Sequence, residues 1–367
     1  MNIHLVDVVG QYKKIKSEID NAVLRVVESG QYILGKDVSE LEINCAKYLN
    51  VKHAVGCASG TDALQVAMMA LGIGKDDEVI TTSFTFVATV ETIALIGAKP
   101  VYVDVEADSF NMNISHIEKA ITKKTKAIIP VHLFGQSVDM QPLMEIAKKH
   151  NLYVTEDMCQ AIGAEYDGKK VGTFGDISCT SFFPSKNLGA FGDGGMMFTN
   201  NDSLATKLRM ICNHGSNVRY YHELLGVNSR LDTIQAAILN VKLKYLDEWN
   251  NQRRAEASVY NKLFANSKVM TPIENSFGKH IYHQYTLRVE RRDELAEYLK
   301  EKKIPFGIYY PVPLHQQKAF SHFVEDNFRL PVTEQIVKEV ISLPMHTELT
   351  IGMQEYIAKT ILEFYNS

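Results

Sequence analysis

Apolar residues recur at helical spacing near the start of the chain. Ile15, Ile19, Val23 and Val26 share one face of residues 11–30, which predicts a helix ending at Gly30. A Tyr32–Gly35 run comes next, then a second amphipathic helix over Val38–Tyr48. From His53 the period changes. Short apolar, β-branched runs at His53–Cys57, Glu78–Thr82, Pro100–Val105, Ala127–Val131, Leu152–Thr155, Ile177–Phe182 and Gly195–Thr199 predict strands. Helical patterns at Thr61–Leu71, Ala88–Ile96 and Leu143–His150 separate several of them. Such alternation predicts an α/β fold, with helices packed on a mostly parallel sheet. Beyond Leu231 the pattern shifts to one long helix, Asp232–Leu263. Runs at Tyr285–Val289 and Pro305–Tyr310, with a helix at Asp293–Lys302 between them, predict a smaller α+β unit. The boundary is expected near Trp249, giving domains 1–248 and 249–367. No short-period repeat or low-complexity linker interrupts this order.

Length and composition narrow the class. A chain of 367 residues has material for two domains, and 46% apolar with 22% charged residues is ordinary for a globular protein. A net charge of −4 gives no general attraction to nucleic acid or to an anionic membrane. No apolar run is long enough to span a bilayer, and the stretch Met1–Asp7 lacks the basic and apolar regions of a secretory signal. Cys45, Cys57, Cys159, Cys179 and Cys212 are odd in number, widely spaced and without a CxxC pair, which argues against a disulfide framework and a zinc site. A reduced, cytoplasmic enzyme or binding protein with no metal is expected.

Candidate chemistry gathers where strands end, which is where open α/β sheets bind ligands. Lys186 comes after the run Ile177–Phe183 inside Ser181-Phe-Phe-Pro-Ser-Lys186-Asn-Leu-Gly, ahead of Gly192-Asp-Gly-Gly195. Flanking Phe, Pro and Leu desolvate the amine and lower its pKa, so it can attack a carbonyl and form a Schiff base; it reads equally as a surface lysine. Gly60-Thr61 lies between a strand and a helix, where free N–H groups attract phosphate, unless Ser59 or Thr61 merely caps the helix. Asp157 closes the strand Leu152–Thr155 and can hold a protonated ring nitrogen, or else cap a helix after it. Gln160 reaches a ring oxygen if the chain turns helical there. Ser181 offers a second phosphate hydroxyl. Phe84 and Phe86 can each lie against a flat ligand or belong to the core. Taken together, the strand ends describe a site for a planar, phosphorylated, ring-nitrogen cofactor that bonds to lysine, which is pyridoxal 5′-phosphate.

The motifs Ser59-Gly-Thr-Asp-Ala-Leu64, Ser83-Phe-Thr-Phe-Val-Ala-Thr89, Thr155-Glu-Asp-Met-Cys-Gln160, Ser181–Gly189 and Gly226-Val-Asn-Ser-Arg-Leu-Asp232 resemble, in this order, the DegT-type sugar-nucleotide aminotransferases. The resemblance spans essentially the whole chain, including Tyr310-Pro-Val-Pro-Leu-His315 and Leu343-Pro-Met-His346. It implies the aspartate aminotransferase fold (fold type I) with a seven-stranded, mostly parallel sheet, a large cofactor-binding domain and a small C-terminal one, in a homodimer. It makes Lys186 the Schiff-base lysine and Asp157 the ring-nitrogen partner. Gln160 falls near the ring hydroxyl, Phe86 on the ring face, and Gly60, Thr61 and Ser181 on the phosphate, with Asn228 reaching that phosphate from the neighbouring subunit. Met158 and Cys159 stand where relatives often carry two small residues, and a local repacking around the adaptable Met is expected.

L-Glutamate is the implied amino donor and a nucleotide-linked keto sugar the acceptor. Ser229 after Asn228 makes this stretch more similar to members that aminate C3, above all those acting on UDP-linked 2-acetamido-2-deoxy-3-oxo-glucose or its uronic acid for lipopolysaccharide, O-antigen or other surface glycans. Arg230 can pair with a uronate or serve as a general contact. Tyr309, Tyr310, His315 and His346 are further candidates for sugar or diphosphate contacts. Two alternatives stand beside this reading: a C4 aminotransferase on a dTDP-, GDP- or UDP-4-keto sugar, and a non-catalytic pyridoxal-binding regulator. An NAD-linked Rossmann enzyme is disfavoured because no GxGxxG comes after the first strand.

Overall fold

Seven strands hydrogen-bond into one sheet in the computed structural model, which describes residues 3–366. Met1 and Asn2, which open the stretch read for a secretory signal, and Ser367, at the end of the expected second domain, lie outside the described residues. The strands are β1 (His53–Cys57), β2 (Glu78–Thr82), β3 (Lys99–Val103), β4 (Thr125–Ile128), β5 (Tyr153–Asp157), β6 (Ile177–Ser181) and β7 (Gly195–Thr199). Across the sheet they run β1, β7, β6, β5, β4, β2, β3. β7 is antiparallel to both its neighbours. The remaining adjacent pairs are parallel. The carboxyl ends of β1, β2, β5 and β6 therefore share one edge of the sheet.

Burial on both faces explains why these strands read as continuous apolar runs. Every residue of β2 and β7 is buried. On one face the helix Gly60–Leu71 sets Ala63, Leu64, Ala67 and Met68 among Val55, Val79, Ile177 and Met197. On the other, Val38, Leu41 and Cys45 from the helix Lys36–Leu49 join Phe182, Met196 and Phe198.

Three expectations need correction. The predicted helix over residues 11–30 is two helices, Val8–Lys14 and Lys16–Ser29, broken at Ile15 (φ −118°, ψ 21°). Its expected apolar face is nonetheless the packed one, since Ile15, Ile19 and Val26 are buried against Ile238 and Trp249. The long helix Asp232–Leu263 is likewise divided into Thr233–Leu243 and Leu246–Leu263. Tightened bonds from Lys244 N–H to Val241 O and from Tyr245 N–H to Lys242 O mark the break, with neither Gly nor Pro present. Ile238 and Val241 of the first half, with Trp249 early in the second, pack on the N-terminal helices, while Ala257 and Tyr260 further along the second half join Tyr285, Leu343 and Ile357. Residue 249 thus lies within the helix Leu246–Leu263. Finally, Pro305–Tyr310 forms no strand, only a bridge from Gly307 to Ser342. The partner of Tyr285–Arg288 is Val340–Leu343, antiparallel. Pro305 lacks a backbone donor, and Pro311 and Pro313 close off the chain just beyond.

Candidate active site

A cavity of about 450 Å³ opens at the carboxyl edge of the sheet, lined by residues that come after β1, β2, β5 and β6. Lys186 and Asp157 both face it.

The segment after β6 is a tight turn. Lys186 N–H donates to Phe183 O at 2.8 Å, and Ala190 N–H to Phe182 O at 2.7 Å. Asn187 anchors it by donating to Asn250 Oδ1 (2.7 Å) and Ile281 O (3.3 Å). With its amide hydrogens so used, Asn187 Oδ1 accepts from His283 Nδ1 at 3.1 Å. Burial, then the charges of Lys186 and Arg253, push the His283 pKa well down, so its ring is neutral. Lys186 is half-buried. Burial lowers its pKa below the usual lysine value, while Cys159 and Asp157 act in the opposite direction.

Asp157 ends β5 and is 5% exposed. Its Oδ2 accepts from the Thr89 hydroxyl at 2.8 Å and its Oδ1 from Cys159 N–H at 3.2 Å. Strand alternation sends Glu156 to the other side. There it accepts from Gly172, Phe174 and Gly175 N–H, each at 2.7 Å, and meets His132 Nε2 at 3.1 Å. Burial raises the Glu156 pKa, but His132 and the backbone donors outweigh it and hold the carboxylate low. After Asp157 the chain continues in turns, not a helix, yet Gln160 still lines the cavity. Gln160 accepts from Phe134 N–H at 2.7 Å and donates to Tyr310 Oη at 3.1 Å.

Gly60 and Thr61 open the helix Gly60–Leu71, and Ser59 caps it by accepting from Asp62 N–H at 3.0 Å. Capping and anion binding are compatible, because the first two N–H groups still have no partner within the helix. Backbones approach closely here. A Cβ on Gly60 would lie 2.6 Å from Ser181 Cβ, and one on Gly195 only 2.2 Å from Ser59 O. Phe84 and Phe86 part company: Phe84 is 1% exposed among Phe110 and Phe134, whereas Phe86 is 53% exposed and lines the cavity.

Not every candidate arrives. Gly60, Thr61, Phe86, Gln160, Ser181, Tyr309 and Tyr310 join Lys186 and Asp157 at the cavity. Asn228 is exposed and, like Arg230, is absent from the lining of its own chain. Between them Ser229 is buried, accepting from Ala58 N–H (3.0 Å) and donating to Asp62 Oδ2 (2.6 Å). His315 and His346 do not line the cavity. His315 Nδ1 meets Ser83 Oγ at 2.8 Å and its Nε2 meets Glu334 at 3.3 Å, so it braces a loop. His346 Nε2 donates to His4 O at 3.1 Å. Burial lowers the pKa of both rings.

A model of the DegT/DnrJ/EryC1/StrS aminotransferase family matches residues 13–362. The chain belongs to that family. It is 49% identical, over 100% of its own length and 99% of the relative's, to a Geobacillus stearothermophilus protein named "Pleiotropic regulatory protein". It is 46% identical to the UDP-2-acetamido-2-deoxy-3-oxo-D-glucuronate aminotransferase of Pseudomonas aeruginosa, covering 95% of this chain and 96% of that one. Among solved structures, the S. venezuelae enzyme DesV in complex with a ketimine intermediate superposes with a TM-score of 0.97 at 39% identity, over 100% of this chain and 99% of that one. The DegT-family chain is thus an aminotransferase with the family's fold, and its cofactor is pyridoxal 5′-phosphate.

The residues present fit that cofactor. The glycine-lined approach of Gly60 to Ser181, two hydroxyls and unpaired helix N–H groups suit a phosphate. The carboxylate of Asp157 suits a protonated ring nitrogen, and Lys186 suits a carbonyl carbon. Several cavity residues had no role in the sequence reading, notably Thr85, Phe134, Asp193, His283 and Gln284. Thr85 and Thr89 stand four apart within the Ser83–Thr89 motif, a spacing that could have flagged them. His283 carries no such signal, sitting just ahead of an apolar run.

Proposed function

We propose that this DegT-family enzyme moves an amino group from L-glutamate to the C3 carbonyl of a UDP-linked 2-acetamido-2-deoxy-3-oxo hexose, in its glucose or glucuronate form. The convergence of one half-buried amine and one buried carboxylate on a single cavity carries the chemistry. The 46% identity to the Pseudomonas aeruginosa enzyme named above supports the sugar. The stretch around Ser229, more similar to members that aminate C3, supports that carbon as well.

Bound pyridoxal phosphate supplies a carbon that bonds reversibly to amines and a ring that draws electrons away from it. Lys186 takes a proton from the α-carbon of glutamate as general base and returns one to the sugar carbon in the second half-reaction. Asp157 keeps a proton on the ring nitrogen by a charge-assisted hydrogen bond. Gly60, Thr61 and Ser181 bind the phosphate, joined by Asn228 of a second subunit in a homodimer. Phe86 covers the ring face, and Gln160, tied to Tyr310, contacts the ring hydroxyl. Tyr309, Tyr310 and Arg230 contact the sugar nucleotide. His315 and His346 act as loop braces and drop out of that set. The reaction takes place in the cytoplasm, and its product enters a surface glycan or lipopolysaccharide.

The test is to give the loaded, yellow enzyme L-glutamate and then UDP-3-keto or UDP-, GDP- and dTDP-4-keto sugars. Bleaching by glutamate and recovery of colour with the 3-keto sugar are expected. Recovery with a 4-keto sugar alone would move the reaction to C4. The relative named as a regulatory protein favours a second reading, a pyridoxal-binding regulator, and failure of glutamate to bleach the enzyme would select it.

A further inference from the structure

A short chain of hydroxyls runs from the cavity wall to Asp157. Thr89 Oγ1 lies 2.8 Å from Asp157 Oδ2 and 3.0 Å from Thr85 Oγ1. Thr85 and Thr89 are 1% and 0% exposed, and Thr85 lines the cavity. Thr89 sits in the first turn of the helix Ala88–Leu95, with Thr85 just ahead of it.

Counting protons fixes the direction of the chain. An ionised carboxylate only accepts, so the single hydroxyl proton of Thr89 goes to Asp157. The proton between the two hydroxyls then comes from Thr85. Thr85 is left with only accepting capacity toward the cavity. Meanwhile the other oxygen of Asp157 is occupied by Cys159 N–H at 3.2 Å, so the carboxylate is gripped at both ends.

We propose that Thr89 is a positioning residue for Asp157: it fixes the rotation of the carboxylate, with Thr85 setting the direction of the bond. The inference rests on Asp157 as the partner of the ring nitrogen. Hydrogen bonds to a charged group are stronger than neutral ones, so the loss should be measurable.

The experiment titrates the cofactor-free protein with pyridoxal phosphate and follows the visible absorbance of the bound form against pH. The chains compared are the native protein, Thr89→Val, Thr89→Ser, Thr85→Val and Asp157→Ala. Thr89→Val should bind roughly tenfold more weakly and shift the absorbance midpoint, whereas Thr89→Ser should stay within about threefold of the native protein. Thr85→Val should fall between them. Native affinity and midpoint in Thr89→Val, beside a weakened Asp157→Ala, would overturn the proposal. A native-like Asp157→Ala would instead remove the reading of Asp157 and the proposal with it. If Thr89→Val does not melt cooperatively before loading, Thr89→Ala takes its place. Equal losses in Thr89→Ala and Thr89→Ser would then count against the hydroxyl.

Discussion

Two regions of this molecule bury ionisable side chains, and they do so to different ends. At the cavity, Lys186 and Asp157 face open space, each held in place yet with room for a ligand. Behind it, where the helices Thr233–Leu243 and Leu246–Leu263 meet, Lys242, Arg253 and Glu256 are closed in by the protein itself. Lys242 donates to Gly189 O, at the end of the very turn that carries Lys186, and lies 5.5 Å from the Phe191 ring centre and 5.8 Å from that of Trp249. Arg253 donates to Tyr282 O at 3.3 Å and Met345 O at 2.9 Å. Burial lowers the pKa of both lysines. A depressed lysine pKa therefore does not single out a nucleophile; access to a ligand does.

The sharpest way to break this comparison is at Lys186. Lys186→Ala and Lys186→Arg should each lower turnover by roughly 10⁴-fold or more, with little change in melting temperature, because among the described residues no partner is hydrogen-bonded to the amine. Steady-state rates beside a melt decide it, and an active variant would place the chemistry elsewhere. Glu256 should behave in the opposite way, changing stability and not rate. Burial raises its pKa to about 8, against the pull of Arg253 and Gln252. As pH rises from about 4.5 to about 8, the unfolded chain gives up this proton while the folded one keeps it, so stability falls over that window. Glu256→Gln should remove that fall. Its stability relative to the native protein should grow by on the order of 4 kcal/mol between pH 5 and pH 8 in denaturant titrations. A constant offset across pH would mean that Glu256 is ionised throughout.

The same contrast explains what the letters of the sequence could show. Strands buried on both faces leave continuous apolar runs, and the bounds of β1, β2 and β7 match the runs residue for residue. Each motif at the cavity comes directly after such a run, so Lys186, Asp157, Ser181 and Gly60 are placed by position as much as by residue type. The closed region carries no comparable mark. The break at Lys244 and Tyr245 lies in an unbroken helical pattern, and the tightened backbone bonds there have no counterpart in the residue types. His283 reaches the cavity through Asn187, a partner far away in the chain. His315 and His346 stay off the cavity lining because the fold spends their ring nitrogens on Ser83 and on the carbonyl of His4. Hydrogen-bond partners between distant segments leave no period in the sequence to read.

Lys242 joins the two regions, and its titration measures how far they are coupled. Burial, then the charge of Arg253, lowers its pKa to about 8, from an ordinary value of 10.5. Between those values the unfolded chain holds the proton and the folded chain does not, so stability rises with pH across the window. Relative to Lys242→Met, the native protein should gain on the order of 3 kcal/mol between pH 8 and pH 10.5, measured as paired denaturation curves to cancel the tyrosines and thiols. The amine can still donate one hydrogen to Gly189 O when neutral, so the turn behind Lys186 should keep its shape across this change. The rate of the native enzyme should then show no step at pH 8 that is missing from Lys242→Met. Such a step would mean that the ammonium charge of Lys242, and not only its hydrogen bond, is felt at Lys186, and the line between a closed region that supports and an open one that reacts would have to be redrawn.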